Sequence, residues 1–110
     1  MDKKYMALGT SMLLLGLLDQ QDMYGYQMIR ELERQSQEVF CLKEGTLYPL
    51  LHALEQQGAV TSELRIAENG RERRYYSITG TGRKLLKEKL EEWDTYQKAV
   101  NQVIGGVLFG

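Results

Sequence analysis

At 110 residues the chain suits one domain with a modest core, and its 43% hydrophobic content excludes a disordered polymer. A net charge of −1 excludes a strongly basic body, so any grip on a polyanion must come from where the charges sit. The single cysteine, Cys41, excludes an internal disulfide, fits a reducing cytoplasm, and is expected as a small buried residue rather than a redox switch.

The first predicted helix runs from about Met6 to Leu18. Its apolar residues (Met6, Leu8, then Met12 to Leu15, Leu17 and Leu18) lie nearly all round it, and such a helix is buried on more than one face. In so small a chain one face belongs to its own core and another to a second subunit. The apolar run from Met12 to Leu18 is broken by Gly16 and is too short to cross a bilayer. Lys3 and Lys4 precede it, but no small-residue cleavage site follows, so no signal peptide is expected.

Asp22-Met23-Tyr24-Gly25 breaks the helical pattern, with Asp22 as a candidate cap. A second helix follows from about Tyr26 to Gln35, with Met28, Ile29 and Leu32 on its buried stripe. After a connector, a third helix spans about Glu44 to Gln57. Leu47, Leu50, Leu51 and Leu54 fall at i, i+3, i+4 and i+7 and face inward. Gly45, Tyr48, Pro49, His52 and Gln56 face the other way, and Gly58 supplies the stop. Pro49 is awkward, because proline inside a helix typically costs about 3 kcal/mol. Either the helix begins near Pro49 or the bend is tolerated.

Val60, Ser62, Leu64 and Ile66 alternate with Thr61, Glu63, Arg65 and Ala67, which predicts a strand. Asn69-Gly70 marks a tight turn, and a return strand carries Arg73, Arg74, Tyr75, Tyr76 and Ile78. Residues 71–84 hold five cations (Arg71, Arg73, Arg74, Arg83, Lys84) against one anion, Glu72. Thr79 or Thr81 caps a last helix that runs to about Ile104 and stops at Gly105-Gly106. Its two dozen residues reach about 36 Å, beyond the body of so small a domain. Leu86, Leu90, Trp93, Val100 and Ile104 follow a near-heptad seam interrupted by Gln97.

Three helices followed by a hairpin describe a winged helix-turn-helix. The fold class expected is therefore α+β and mostly α, with residues 1–79 as a DNA-binding head. Residues 80–110 form a C-terminal dimerisation helix within the same compact domain, and the first helix shares the dimer interface. A helix with a polar outer face beside an arginine-tipped wing is suited to duplex DNA, the helix in the major groove and the wing on phosphates.

The run "LLGLLDQQDMYGYQMIRELE", then "KEGTLYPLLHALEQQGAV", then "NGRERRYYSITGTGRKLL" resembles the PadR family of bacterial transcriptional regulators over about residues 10–104. The most specific blocks are Tyr24-Gly25-Tyr26, Gly45 to Leu51, and Arg74 to Thr79 followed by Gly82. The resemblance implies a cytoplasmic homodimer that represses from a palindromic operator and is relieved by a small molecule. The single C-terminal helix with its tryptophan resembles the compact, multidrug-sensing members. Lys43 departs from the small polar residue that many members place at the start of the third helix. An ammonium cannot accept from helix N–H groups, so Lys43 is expected to reach a phosphate.

The DNA-contact candidates are Lys43, Gly45, Thr46, Tyr48, Pro49 and His52 on the third helix, with Tyr24 ahead of the second. On the wing they are Asn69, Gly70, Arg71, Arg73 and Arg74, and strand alternation favours Arg71 and Arg73 over Arg74. A solvated surface is the plainer alternative for the helix and wing residues, and packing in the core is that for Tyr24. Trp93 is expected either to pack in the dimer interface or to stack on a flat aromatic or hydrophobic effector, as its counterpart does in drug-responsive relatives. Tyr96, Glu92, Leu8, Met12 and Leu15 would complete that pocket. Met6, Leu13, Leu86, Leu90, Trp93, Val100 and Ile104 are the dimer-interface candidates. A lone histidine, a lone cysteine and no metal-spaced cluster, GxSxG or phosphate loop argue against an enzyme, a metal site or a cofactor. The competing reading is a winged-helix protein-interaction module that does not bind DNA.

Overall fold

The computed structural model describes the backbone of residues 3–105 and the side chains from Gly9 to Gly105. Met6 and Leu8 therefore lie outside the described side chains. In chain order the elements are α1 (Lys3–Gln20), β1 (Met23–Tyr24), α2 (Gly25–Gln35), α3 (Glu44–Gln56), β2 (Val60–Ile66), β3 (Glu72–Ile78) and α4 (Gly80–Ile104). The expected α+β, mostly helical architecture is present. No helix among the described residues is long and apolar enough to cross a membrane.

The core forms where α1, α2 and α3 meet the base of the hairpin. Leu14, Leu15, Leu17 and Leu18 of α1 share one side of the helix and are all buried, while Met12 and Leu13 are only partly buried. Met23 and Met28, with Leu47, Leu51 and Leu54 from the α3 stripe, fill the centre. Val60, Tyr76, Ile78 and Leu86 close it from the sheet and α4. Leu86 is thus a core residue of this chain, which corrects its assignment to a dimer seam. Leu15, expected beside an effector, is instead fully buried in the core.

The strand β1 was not expected from sequence. Two residues are too short to show a period, but Met23 pairs with Tyr76 and Tyr24 with Tyr75, giving the antiparallel order β1-β3-β2. Asp22 does not cap α2. The N-cap is Tyr24, whose side chain makes no capping bond, and Asp22 instead pairs with Arg65. Cys41 is exposed rather than buried. The alternation of β2 is correct in register, but its apolar face is covered only at Val60. Leu64 and Ile66 are 55% and 78% exposed, because the hairpin runs out past the body.

Two junctions fix how the hairpin leaves the core. At the end of α3, Gly58 takes φ +77, a conformation that glycine adopts without penalty. The Ala59 N–H then donates to the Leu54 carbonyl at 2.9 Å and the Gly58 N–H to Glu55 at 3.0 Å, satisfying the last carbonyls of the helix. At the start of α4, the Thr79 hydroxyl accepts from the Gly82 N–H at 3.0 Å and donates to the Gly58 carbonyl at 2.6 Å. One side chain therefore caps α4 and ties it to the end of α3.

Candidate nucleic-acid interface

The α3 helix begins at Lys43, whose backbone is extended and whose side chain makes no capping bond. An ammonium has no lone pair to offer a helix N–H, so it stays free. The helix continues past Pro49, which lies inside it. The ring leaves the Gly45 carbonyl without its usual donor, but Gly45 is exposed and water can satisfy it. Thr46, Tyr48, Pro49 and His52 are exposed on the same side, away from the leucine stripe. The Nε2 atoms of His52 and Gln56 approach to 3.3 Å.

Tyr48, 44% exposed, lies across the start of α2. Gly25, the first residue of that helix, is buried beneath it, and a Cβ there would stand 2.8 Å from the Tyr48 Cζ. Glycine at this position makes room for the ring. The β1 strand covers the β3 edge only at Tyr75 and Tyr76, so the edge at Arg73 and Arg74 is left open. A cleft of about 240 Å³ forms there, lined by Tyr24, Tyr48, Arg73, Arg74 and Tyr76 together with Glu44 at the start of α3. The uncapped N-terminus of α2 opens toward this cleft, and its free N–H groups favour an anion.

The wing arginines divide by face. Arg73 is half-buried, with its guanidinium 5.4 Å from the centre of the Tyr24 ring, and its Nε has no hydrogen-bond partner. Tyr24 in turn meets Tyr75 edge-on at 5.4 Å and 71°. Arg74 lies on the opposite strand face, where it donates to the Ser62 hydroxyl at 3.1 Å, and Ser62 donates to Glu55 at 2.9 Å. The preference for Arg73 over Arg74 thus does not separate them: both line the cleft, one from each side of the open edge. Arg71 projects from the tip. There the Asn69 side chain accepts from the Arg71 N–H at 3.0 Å, and Gly70 takes φ +81 to turn the chain. Asn69 and Gly70 shape the loop, with both exposed.

Among the described residues, Arg34, Arg65, Arg83 and Lys98 are held in ion pairs. No such pair engages Lys43, Arg71, Arg73 or Arg74. Four cations without a carboxylate partner therefore gather around α3 and the wing of a nearly neutral chain. Burial, with Glu55 nearby, raises the Tyr76 phenol above its ordinary value, so it stays protonated at neutral pH.

The model of the transcriptional regulator PadR-like family matches residues 14–88. The chain belongs to this family. The PadR-like protein is 36% identical over 85 residues to the transcriptional regulator Rv3488 of Mycobacterium tuberculosis, spanning 77% of this chain and 73% of that one. In structure it is similar to a transcriptional regulator from Clostridium thermocellum, with a TM-score of 0.81, 32% identity and coverage of 90% of this chain and 96% of the other. A PadR-like transcriptional regulator from Bacillus cereus superposes with a TM-score of 0.82 at 25% identity, covering 94% and 98% of the two chains.

A second candidate site of the PadR-like protein lies between α1 and α4. Trp93 and Tyr96 stack with centroids 5.9 Å apart and planes inclined by 20°. They help enclose a cavity of about 290 Å³ with Met12, Lys89, Glu92 and Thr10. Met12, Glu92, Trp93 and Tyr96 of the expected effector set come together here. Thr10 and Lys89 were missed. Thr10 is buried and its Oγ1 has no partner among the described residues, a feature that sequence shows only as a polar residue on an apolar helix. Leu90, Trp93 and Ile104 of the expected dimer seam remain 41–48% exposed in the single chain, Val100 is half-buried, and Leu13 packs against the core.

Proposed function

We propose that this PadR-like protein is a homodimeric, DNA-binding transcriptional repressor acting in the cytoplasm. Its two α3 helices enter successive major grooves of a palindromic operator about 34–36 Å apart. Thr46, Tyr48, Pro49 and His52 face the base edges, while Gly45 lets the backbone approach. Lys43 and Arg71 contact phosphates. One phosphate enters the cleft at the start of α2, held by Arg73, Arg74 and the hydroxyls of Tyr24 and Tyr48. The observation that carries this reading is an exposed helix face adjoining a cleft lined by Arg73 and Arg74, neither of which has a carboxylate partner among the described residues.

The dimer forms through the apolar side of α4 and the free side of α1. A flat aromatic or hydrophobic effector enters the cavity beside Trp93 and Tyr96, with Thr10 Oγ1 available to a polar atom of the ligand. Relief of repression requires the effector to bind more tightly to the dimer geometry that does not fit the operator. Titration of DNA from the protein's own upstream region, repeated across salt, tests the reading. Saturable binding whose logarithm falls linearly with log salt is expected, together with quenching of Trp93 by an aromatic compound that also releases the DNA. Absence of binding at low salt would replace it with a protein-interaction module.

A further inference from the structure

Arg65 and Arg73 stand directly opposite each other across the β2–β3 pair. Like charges in that position repel, so the pair is a cost unless something else answers one of them. Arg65 is answered three times. Its guanidinium donates to Glu63 at 2.6 Å and to Asp22 at 2.9 Å, and it lies 5.1 Å from the centre of the Tyr75 ring. Both carboxylates hold its proton more firmly than usual, the bond to Asp22 first. Among the described residues Arg73 is answered only by the Tyr24 ring, which leaves its charge available to something outside the chain.

The two carboxylates on Arg65 differ in what they join. Glu63 lies two residues away in the same strand, so its bond stays within the wing. Asp22 is 43 residues away, in the link between α1 and β1. The three-stranded part of the sheet ends at the level of Tyr24, Tyr75 and Glu63. Arg65 lies two pairs further out, where the hairpin has left the body. The Asp22 bond is therefore the point at which the projecting arm is tied back to the body.

We infer that Asp22 is a positioning residue for DNA binding: by clasping Arg65 it fixes the wing against the body and holds Arg73 on Tyr24, aimed into the cleft. The inference rests on the DNA-binding reading above. Asp22 itself touches no DNA. Its carboxylate sits on the DNA-binding head, where simple electrostatics would make it a hindrance to a polyanion. That gives the inference an unusual sign.

The test uses the full-length protein on its own upstream DNA, comparing wild type, Asp22→Asn and Glu63→Gln. Both substitutions remove one negative charge and turn an ion pair with Arg65 into at most a neutral hydrogen bond. If Asp22 were only a nearby acid, Asp22→Asn would tighten binding. The clasp requires the opposite, a threefold to fivefold weaker complex, the size expected for losing one half-exposed ion pair that sets geometry. Glu63→Gln, which unties nothing between wing and body, should bind as well as wild type or better. The Arg73 Nε–H resonance, shifted upfield by the Tyr24 ring, should move toward its free position in Asp22→Asn only. Tighter or unchanged binding by Asp22→Asn, with wild type binding normally, overturns the inference and leaves the DNA-binding reading standing. Equal weakening by both variants also overturns it. Failure of wild type to bind DNA at all removes the reading beneath it.

Discussion

The two most exposed regions of this chain, the outer face of α3 with its wing and the half of α4 beyond Leu86, reach water for different reasons. The first presents hydroxyls, an imidazole and cations without partners, groups that water satisfies fully while they wait for a polyanion. The second presents Leu90, Trp93, Val103 and Ile104, with Val103 84% exposed on a helix of 25 residues that gives the molecule its 53 Å length. Apolar side chains at that spacing gain nothing from water, and an apolar patch rimmed by charge marks an interface. On the reading proposed above, the first surface meets DNA while the second is completed by another copy of the chain. The largest effect is therefore expected at α4. Leu90→Glu combined with Ile104→Glu should convert a dimer to a monomer in sedimentation equilibrium. Its operator affinity should fall on the order of 100-fold, because the second head no longer binds at high effective concentration. Retention of dimer and affinity together would break the comparison.

The joint between these regions is the next place to press. Gly82 is buried where α4 leaves the wing, and a Cβ there would overlap the Ala59 carbonyl and stand 2.7 Å from Ile78 Cγ1. The obstacle is mostly backbone, which cannot swing aside. Gly82→Ala should therefore lower unfolding stability by about 1–3 kcal/mol, the usual size of overpacking, read from denaturant midpoints. Because the joint serves both regions, dimer and DNA binding should weaken only in step with the unfolded fraction. A variant of normal stability with one region selectively impaired would show that the two are not rigidly joined.

Legibility in the sequence follows the same division. The α3 stripe, the hairpin and the long α4 carry repeating periods over many residues, and each appears where its period places it. Gly82 and Gly25 were recognisable as family positions, but their cause is a close approach between distant segments, which no local pattern contains. The same holds for β1, for the Asp22–Arg65 pair and for the Tyr24–Tyr75 contact. Asp22 illustrates the loss best: its local context reads as a cap, and only the folded chain shows a partner 43 residues away. Leu15 and Leu86 were misassigned because apolarity alone does not tell a chain's own core from a partner's surface. At the wing, alternation correctly put Arg73 and Arg74 on opposite faces, yet the open β3 edge lets both reach one cleft.

A sharper comparison within the head sets an arginine without a carboxylate partner against a paired one. Arg73→Ala should weaken operator binding about tenfold and reduce the salt slope by about one, as expected for loss of one phosphate contact. Arg83 is paired with Asp19 at 3.2 Å at the start of α4, so Arg83→Ala removes the same formal charge from a site already neutralised. It should leave the slope unchanged. Equal slopes for the two variants would mean that only net charge matters and that the cleft does not select a phosphate.

The smallest effect belongs to α2, where Glu31 is held by its own neighbours on the helix. Arg34 donates to both oxygens of Glu31, at 2.8 and 2.9 Å, and Gln35 adds a third bond. These bonds, Arg34 first, lower the Glu31 carboxyl from 4.5 to about 2. A carboxyl lowered on folding contributes stability that is fully present above its unfolded pKa, and that contribution fades as pH falls from about 4.5 through about 2. Wild type should therefore melt slightly above Glu31→Gln at neutral pH, with the gap closing across that window and absent below it. The gap should be modest and should shrink in high salt, because both partners face water. A gap that persisted unchanged below pH 2 would assign it to packing by the side chain rather than to its charge. One that was insensitive to salt would place the pair in a less solvated setting than the open face of α2 provides.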